Sequence, residues 1–413
     1  MRQRGGAKYM EKMTWFENGG VTSPRGFNAA GVHAGIKADK LDMALLVSDR
    51  PAVMAGMFTH NRIQAAPVRL CRARLKSGRG RAIVINSGSA NACTGARGLK
   101  DAAAMAQLTA RALRCEARSV FMCSTGTIGK PLPMDKIAHG VQLAVAALSP
   151  TGGGTAARAI MTTDTVPKHA AVEVKVDGIP VRIGGMAKGA GMISPKLATM
   201  LVFLTTDAVV ARPALQACLR DAVGLSFNRI TVDGDESTND TVLLMANGAA
   251  GNRPLRPGHK DWPVFAAALR KLTMELAAKI VKDGEGATKF VTVTVKGART
   301  GADADRAARA VANSLLVKTS WFGMDPNWGR VIAAVGYSGA AVREDKVGID
   351  FEGVPAVKGG CVAPGFSLEQ LEAILQRPAF EITVNLHLGR GAATVYTCDC
   401  SEEYVRINAS YLT

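Results

Sequence analysis

A mixed α and β fold is what the sequence predicts, and three observations predict it. Segments with helical spacing alternate along the chain with short runs rich in Val, Ile and Phe, the pattern of packed mixed layers. The 413 residues are 47% hydrophobic and 21% charged, enough apolar mass for a large core and for two or three structural units. The 44 glycines imply many tight turns and close backbone approaches.

Taken in order, residues 1–30 read as irregular. Met43 to Ser48 and Val53 to Phe58 read as two strands separated by Asp49-Arg50-Pro51. Ala82 to Ile85 is a strand that enters a polar loop of small residues, Asn86 to Gly95. Asp101 to Cys115 has helical spacing in Ala104, Leu108 and Ala112. Ser119 to Cys123 is a buried strand ending in Ser124-Thr-Gly-Thr-Ile-Gly-Lys130, and Asp135 to Leu148 is a helix broken by Thr151-Gly-Gly-Gly154. Val172 to Arg182 has period two around Asp177-Gly178, the signature of a hairpin.

The middle of the chain holds Lys188-Gly-Ala-Gly-Met-Ile-Ser-Pro-Lys-Leu-Ala-Thr-Met-Leu201. Pro195 biases Ser194 toward an extended backbone, and the apolar run Met200 to Leu204 reads as a buried strand. Beyond it, Arg212 to Val223 and Phe265 to Val281 are helices, Phe290 to Val295 is a strand, and Ala302 to Ser314 and Trp328 to Ala334 are helices. Strands at Gly348 to Glu352, Glu381 to Leu386 and Ala392 to Cys398, with one helix at Leu368 to Leu375, complete the pattern. Tyr404 to Thr413 is apolar enough to be docked rather than frayed.

Charge and composition narrow the function classes. Residues 1–198 hold 28 Lys and Arg against 11 Asp and Glu, a net of +17, while residues 199–413 hold 23 of each, a net of zero. A basic half attracts anions, but aromatics are only 5% and the cations are dispersed apart from Arg69 to Arg81. Nucleic-acid binding is therefore not expected, and a solvated basic face is the simpler reading. No apolar run reaches the roughly 18–20 residues that span a bilayer, and the N-terminal stretch lacks the apolar region of a secretory signal. A cytoplasmic protein without a membrane segment is expected. The eight cysteines form no C-x-x-C pair and the six histidines are scattered, so no metal site is expected.

Several segments carry chemistry or merely a turn. Ser124 to Lys130 is not a phosphate loop, because Ser opens it and Pro131 follows the lysine. It reads either as a plain turn or as backbone N–H groups beside a hydroxyl, the requirement of an oxyanion hole. Asp233 to Asp240 has the composition of a calcium loop without its terminal bidentate Glu, and reads as a carboxylate turn bonded to its own backbone. Asp283-Gly-Glu-Gly-Ala-Thr-Lys289 reads as the end of the long helix. Thr199 is either the start of a strand or a nucleophile. No histidine partner is evident for it. A threonine at a chain N-terminus would need none, since its own α-amine, of pKa about 7.7–8, can take the proton. That route requires a cut between Ala198 and Thr199.

Taken together, ordered segments resemble the ornithine acetyltransferase (glutamate N-acetyltransferase) family of arginine biosynthesis. They include Thr22-Ser-Pro-Arg-Gly-Phe27, Ala55-Gly-Met-Phe-Thr59, Asn86 to Gly95, Ser124 to Gly129, Met161-Thr-Thr-Asp-Thr165, Lys188 to Leu201 and Asn228 to Asp235. Gly284 to Lys289, Val317-Lys-Thr319, Asp325-Pro-Asn-Trp-Gly-Arg330 and Tyr404 to Thr413 continue the series. The resemblance implies a layered αββα-type fold and a precursor that cuts itself between Ala198 and Thr199. It implies pieces of residues 1–198 and 199–413 that stay together as α and β chains, assembled as two αβ units. Thr199 would carry the acetyl group from N-acetylornithine to glutamate, giving ornithine and N-acetylglutamate. No cofactor is implied, although acetyl-CoA serves some family members as a co-substrate.

Carried over by position, Thr125 and Gly126 match the oxyanion-hole pair, and Thr162, Lys188, Thr199, Glu285, Asn408 and Thr413 match substrate-contacting positions. Lys188 suits a substrate carboxylate, and Glu285 and Asn408 suit an ammonium. Lys196 and Leu197 replace a more usual Asn-Met before the cut, which puts the cleavage rate in question. A self-processing amidase or aminopeptidase, with water as acceptor, is the alternative from a neighbouring class.

Overall fold

The computed structural model of the chain describes residues 12–194 and 200–410. Ala198, Thr199 and Thr413, with Pro195, Lys196 and Leu197, lie outside the described residues. Fifteen strands and eleven α-helices are present among those described.

A nine-stranded mixed sheet organises the first two thirds of the chain. Its strands are β1 (Thr14–Phe16), β2 (Phe27–Val32), β3 (Met43–Phe58), β4 (Arg79–Ser89), β5 (Val120–Thr127), β6 (Lys168–Val176), β7 (Ile179–Lys188), β8 (Leu201–Thr206) and β9 (Thr241–Ala246). Their spatial order is β1-β6-β7-β8-β9-β3-β4-β5, with β2 beside β3. The helices between them are α1 (Ala66–Arg74), α2 (Gly95–Leu113), α3 (Met134–Ala146), α4 (Gly153–Ala159), α5 (Arg212–Leu225) and α6 (Trp262–Lys282).

The central strands are apolar because both of their faces are covered. In β8, Leu201 and Phe203 enter the core that α1 to α4 help to build, while Val202 and Leu204 enter the core beneath α5 and α6. In β9, Leu243 and Met245 alternate with Val242 and Leu244 in the same way. A strand buried on both sides needs a continuous apolar run, which explains Met200 to Leu204. Each such side chain contributes about 1.5–3 kcal/mol by burial.

The second sheet has six strands in the order β13-β12-β11-β14-β10-β15. It is formed by β10 (Phe290–Ala298), β11 (Gly348–Phe351), β12 (Val354–Lys358), β13 (Cys361–Val362), β14 (Ala379–Asn385) and β15 (Gly391–Cys398). The accompanying helices are α7 (Gly301–Asn313), α8 (Leu315–Phe322), α9 (Trp328–Gly336) and α10 (Leu368–Leu375), and α11 (Glu402–Ser410) follows β15. Val291, Val293 and Val295 face the helices in a third core. The intervening Thr292 and Thr294 are half-buried, and the Thr294 hydroxyl lies 3.2 Å from that of Thr394.

The mixed α and β class predicted from sequence is observed, with several local corrections. Residues 14–16 and 27–32 are strands rather than irregular chain. The two strands expected around Asp49-Arg50-Pro51 are one, β3, whose register shifts between Val47 and Ala52. A bulge leaves Pro51 on an exposed bend, where its missing N–H costs no ladder bond. Asn86 to Ser89 belongs to β4 rather than to a loop. The glycine run expected only to break a helix instead opens α4. The hairpin is as expected: Val176 pairs with Ile179, and Asp177 and Gly178 have φ of 53° and 80°, the type I′ geometry. Of the C-terminal segment, the described residues up to Ser410 are helical and none is fully buried, so their docking is polar rather than apolar. Four of the eight cysteines are buried, and Cys93 and Cys361 are exposed.

Candidate active site

A cavity of about 210 Å³ opens where β5, β7 and the loop after α6 converge with α11. Its lining brings together six residues named from sequence: Thr125, Gly126, Thr162, Lys188, Glu285 and Asn408. These come from five separate parts of the chain, so their convergence is produced by the fold.

Thr125 and Gly126 end β5, where the strand runs parallel to β4 and Gly126 pairs with Gly88. Gly126 has φ +126°, and a Cβ there would overlap the backbone of Gly88 and Ser89. Only glycine fits such a position. The strand end is braced from below. Ser124 donates to Asn86 Oδ1 at 2.6 Å, and Asn86 Nδ2 donates to the Ser89 carbonyl at 2.9 Å. Asn239 Nδ2 donates to the carbonyls of Ala90 (2.7 Å) and Ser124 (2.8 Å).

Lys188 is the last residue of β7 and is only 3% exposed. Buried ammonium groups are normally paired, yet the Lys188 ammonium makes no ion pair and no hydrogen bond among the described residues. It lines the cavity instead. Burial pulls its pKa below the ordinary lysine value, opposed by the nearby charge of Asp164.

Asp164 holds the floor of the site. Its carboxylate accepts from Thr162 N (2.9 Å), Gly189 N (2.7 Å) and Lys168 Nζ (2.6 Å). Lys168 also reaches Asp283 at 2.5 Å. Burial would raise the Asp164 pKa, but Lys188, Lys168 and the backbone donors win and hold it at about 2. One carboxylate thus fixes both the Thr162 turn and the end of β7.

Glu285 faces the cavity from the loop after α6. Its N–H donates to the Ala190 carbonyl at 2.9 Å, and its Oε2 accepts from Asn408 Nδ2 at 2.7 Å. Asn408 Nδ2 also reaches the Tyr404 carbonyl one turn back in α11 at 3.0 Å, so α11 meets the site through the bond from Asn408 to Glu285. Gly191 lies against the Glu285 carboxylate, and a Cβ at 191 would overlap it. Gly191→Ala is therefore expected to displace Glu285 at little cost in stability, within about 1 kcal/mol, because the tip of a flexible side chain moves. The KM for a cationic substrate should rise about tenfold, the loss of one charge-assisted contact. Parallel thermal melts and steady-state kinetics check this, and an unchanged KM would contradict it.

The chain on the far side of residue 199 is anchored beside this cavity. Met200 N donates to Asp240 Oδ1 at 2.8 Å, its carbonyl accepts from Thr241 N at 3.2 Å, and Leu201 pairs with Lys188. Asp240 is fully buried, its Oδ2 has no hydrogen-bond partner among the described residues, and burial pushes its carboxyl well above the usual range. Asp164, Asn239 and Asp240 were not singled out from sequence. Asn239 and Asp240 lie in the carboxylate turn noted there, but their partners are remote in the chain.

Fold and lining define a mixed α/β protein with a small polar pocket: one cation unpaired among the described residues, the carboxylates of Asp233, Asp235 and Glu285, and a hydroxyl-and-glycine strand end. Such a pocket fits an amino-acid-like zwitterion. The chain belongs to the ArgJ family, whose model matches residues 28–413. Among curated relatives, the arginine biosynthesis bifunctional protein ArgJ of Geobacter sulfurreducens is 52% identical over 390 residues, covering 94% of this chain and 99% of that protein. The protein of the same description from Symbiobacterium thermophilum is 50% identical over 404 residues, covering 97% and 100%. Among solved structures, an ornithine acetyltransferase from Mycobacterium tuberculosis complexed with ornithine is 46% identical over 45% of this chain and 100% of that one, with a TM-score of 0.43.

Proposed function

We propose that the protein is an acetyltransferase of arginine biosynthesis that moves the acetyl group of N-acetylornithine to glutamate through an ester on Thr199. The observation that carries this reading is Lys188: a buried ammonium, unpaired among the described residues and lining one cavity with Glu285. A substrate α-carboxylate supplies the missing counter-charge. The family relatives, bifunctional arginine-biosynthesis proteins over their whole length, support the same assignment.

In the first half-reaction the Thr199 hydroxyl attacks the acetyl carbonyl, and its proton passes to the Thr199 α-amine. The Thr125 hydroxyl and the Gly126 N–H stabilise the oxyanion, each such donor being worth roughly 3–4 kcal/mol of barrier. The C–N bond breaks, and ornithine leaves with the proton returned to its amine. In the second half-reaction the glutamate amine attacks the ester, yielding N-acetylglutamate and free Thr199. Thr162 and Thr413 complete the contacts with substrate.

The free α-amine arises when the Thr199 hydroxyl attacks the Ala198 carbonyl and the resulting ester is hydrolysed. This divides the chain into residues 1–198 and 199–413. The sheet supports lasting association of the two pieces. Strands β8 and β9 from the second piece are inserted between β7 and β3 from the first. Neither piece can complete that sheet alone. Two αβ units form the working assembly, in the cytoplasm, with no cofactor beyond acetyl-CoA as a second acetyl donor. No helix among the described residues is long and apolar enough to cross a membrane.

Incubating the purified protein with N-acetylornithine, with and without glutamate, tests the reading. N-acetylglutamate should form in amounts equal to the ornithine released. Two bands should appear on a denaturing gel, and one species in native size-exclusion chromatography. Acetate release that ignores glutamate would instead favour an amidase.

A further inference from the structure

We infer that Asp235 selects the distal ammonium of the donor amino acid at the mouth of the cavity, an inference that rests on the acetyl-transfer reading above. The turn from Asp233 to Asp240 places two acids two residues apart with different engagements. Asp233 is committed to the backbone and to the Tyr404 side chain. Its Oδ2 accepts from Met192 N at 2.6 Å, and its Oδ1 from Ile193 N at 2.9 Å and Asp235 N at 3.1 Å. Gly234, at φ +82°, reverses the chain between the two acids.

Asp235 lines the same cavity as Glu285, Tyr404 and Asn408. It is solvent-exposed at the rim, and its carboxylate makes no hydrogen bond or ion pair among the described residues. Among the described residues Lys188 is the one cation in the lining, against the carboxylates of Asp233, Asp235 and Glu285. The acidic wall therefore exceeds what Lys188 balances.

The two substrates make that excess consequential. Both carry an α-carboxylate, which Lys188 serves. They differ at the other end, where N-acetylornithine has an ammonium and glutamate a second carboxylate. A double displacement passes both through one cavity in turn. Glu285, tethered to Asn408, offers the ammonium one carboxylate, and Asp235 is free to add a second. Its charge attracts the donor and repels the acceptor, so one residue sets the two affinities in opposite directions.

Asp235→Asn removes the charge and keeps the shape. The KM for N-acetylornithine should rise about three- to fivefold and the KM for glutamate should fall by a similar factor, the size of a partly screened ion pair. Asp235→Glu should restore the wild-type order. Added salt should shrink the difference between wild type and Asn variant. A merely structural role would move both KM values the same way, and that result, or no change in either, overturns the inference. Calorimetry with ornithine and with norvaline, which lacks the distal ammonium, reads the site without catalysis. Ornithine binding should weaken about three- to fivefold in Asp235→Asn while norvaline binding holds. Equal ornithine affinity in both proteins overturns the assignment. Absence of acetyl transfer in wild type, with ornithine binding still dependent on Asp235, would instead remove only the acetyl-transfer reading.

Discussion

Thr199→Ala is expected to leave a single band at the full mass of 43.2 kDa and to abolish acetyl transfer. Without the hydroxyl neither the self-cleavage ester nor the acetyl ester can form. Removal of a catalytic nucleophile lowers turnover by at least about 10³-fold. Thr199→Ser keeps a hydroxyl and should still cut and still transfer, more slowly. The surrounding chain supports this use of the residue. Met200, its neighbour, is held by Asp240 on one side and by Thr241 on the other. Leu201 is fixed in the sheet opposite Lys188. A rigid anchor on the carboxyl side of the proposed junction would keep residues 200 onward in register once that bond is cut. Circular dichroism of the Ala variant should match that of wild type, because the bond from Met200 to Asp240 and the pairing of β8 are left in place. An uncut Thr199→Ala protein that still transfers acetyl at the wild-type rate would sink the mechanism.

What could be read from sequence depended on whether a feature was local. The run Met200 to Leu204 is apolar because β8 is covered on both faces, and the Asp177-Gly178 hairpin is set by two residues that accept positive φ. Both were legible. Strand β3 was not, because its bulge at Asp49 to Pro51 imitates a turn while the sheet continues through it. Helix α4 was hidden by Gly152 to Gly154, since tertiary packing against β2 and β3 overrides their poor helix propensity. The same divide runs through the site. Lys188, Glu285 and Asn408 were reached through ordered motifs, and the fold then brought them to one cavity. Asn239 and Asp164 escaped because their work is to bond distant backbone. Asn239 reaches Ala90 across 149 positions and Ser124 across 115. No periodicity or spacing encodes such a bond. Polar side chains that position a backbone are visible only when the partner strand is in place.

Lys188→Met should separate stability from activity more sharply than any other substitution in the site. Methionine keeps an unbranched apolar stem and deletes the charge. Asp164 is not stranded by the change, because Lys168 still pairs with it at 2.6 Å. The folded protein pulls the Lys188 pKa down through burial, with Asp164 opposing. A lysine whose folded pKa is below its unfolded value destabilises the fold at every pH below the folded pKa, and the cost fades as pH rises toward the unfolded value. Below the folded pKa, removing the residue should therefore leave Tm equal or higher. Activity should move the other way. The substrate carboxylate loses its one cationic partner in the lining, and kcat/KM should fall about 10²–10³-fold, the effect of deleting one member of a buried charge pair. The pH profile gives a second signature. In wild type the ammonium is lost as pH rises through its depressed pKa, so kcat/KM declines on the alkaline side. The Met variant has no such group and should lack that limb. A lower Tm with unchanged KM would reduce Lys188 to a packing residue. A higher Tm with a collapsed kcat/KM is the behaviour of a charge kept, against the stability of the fold, for the substrate it meets.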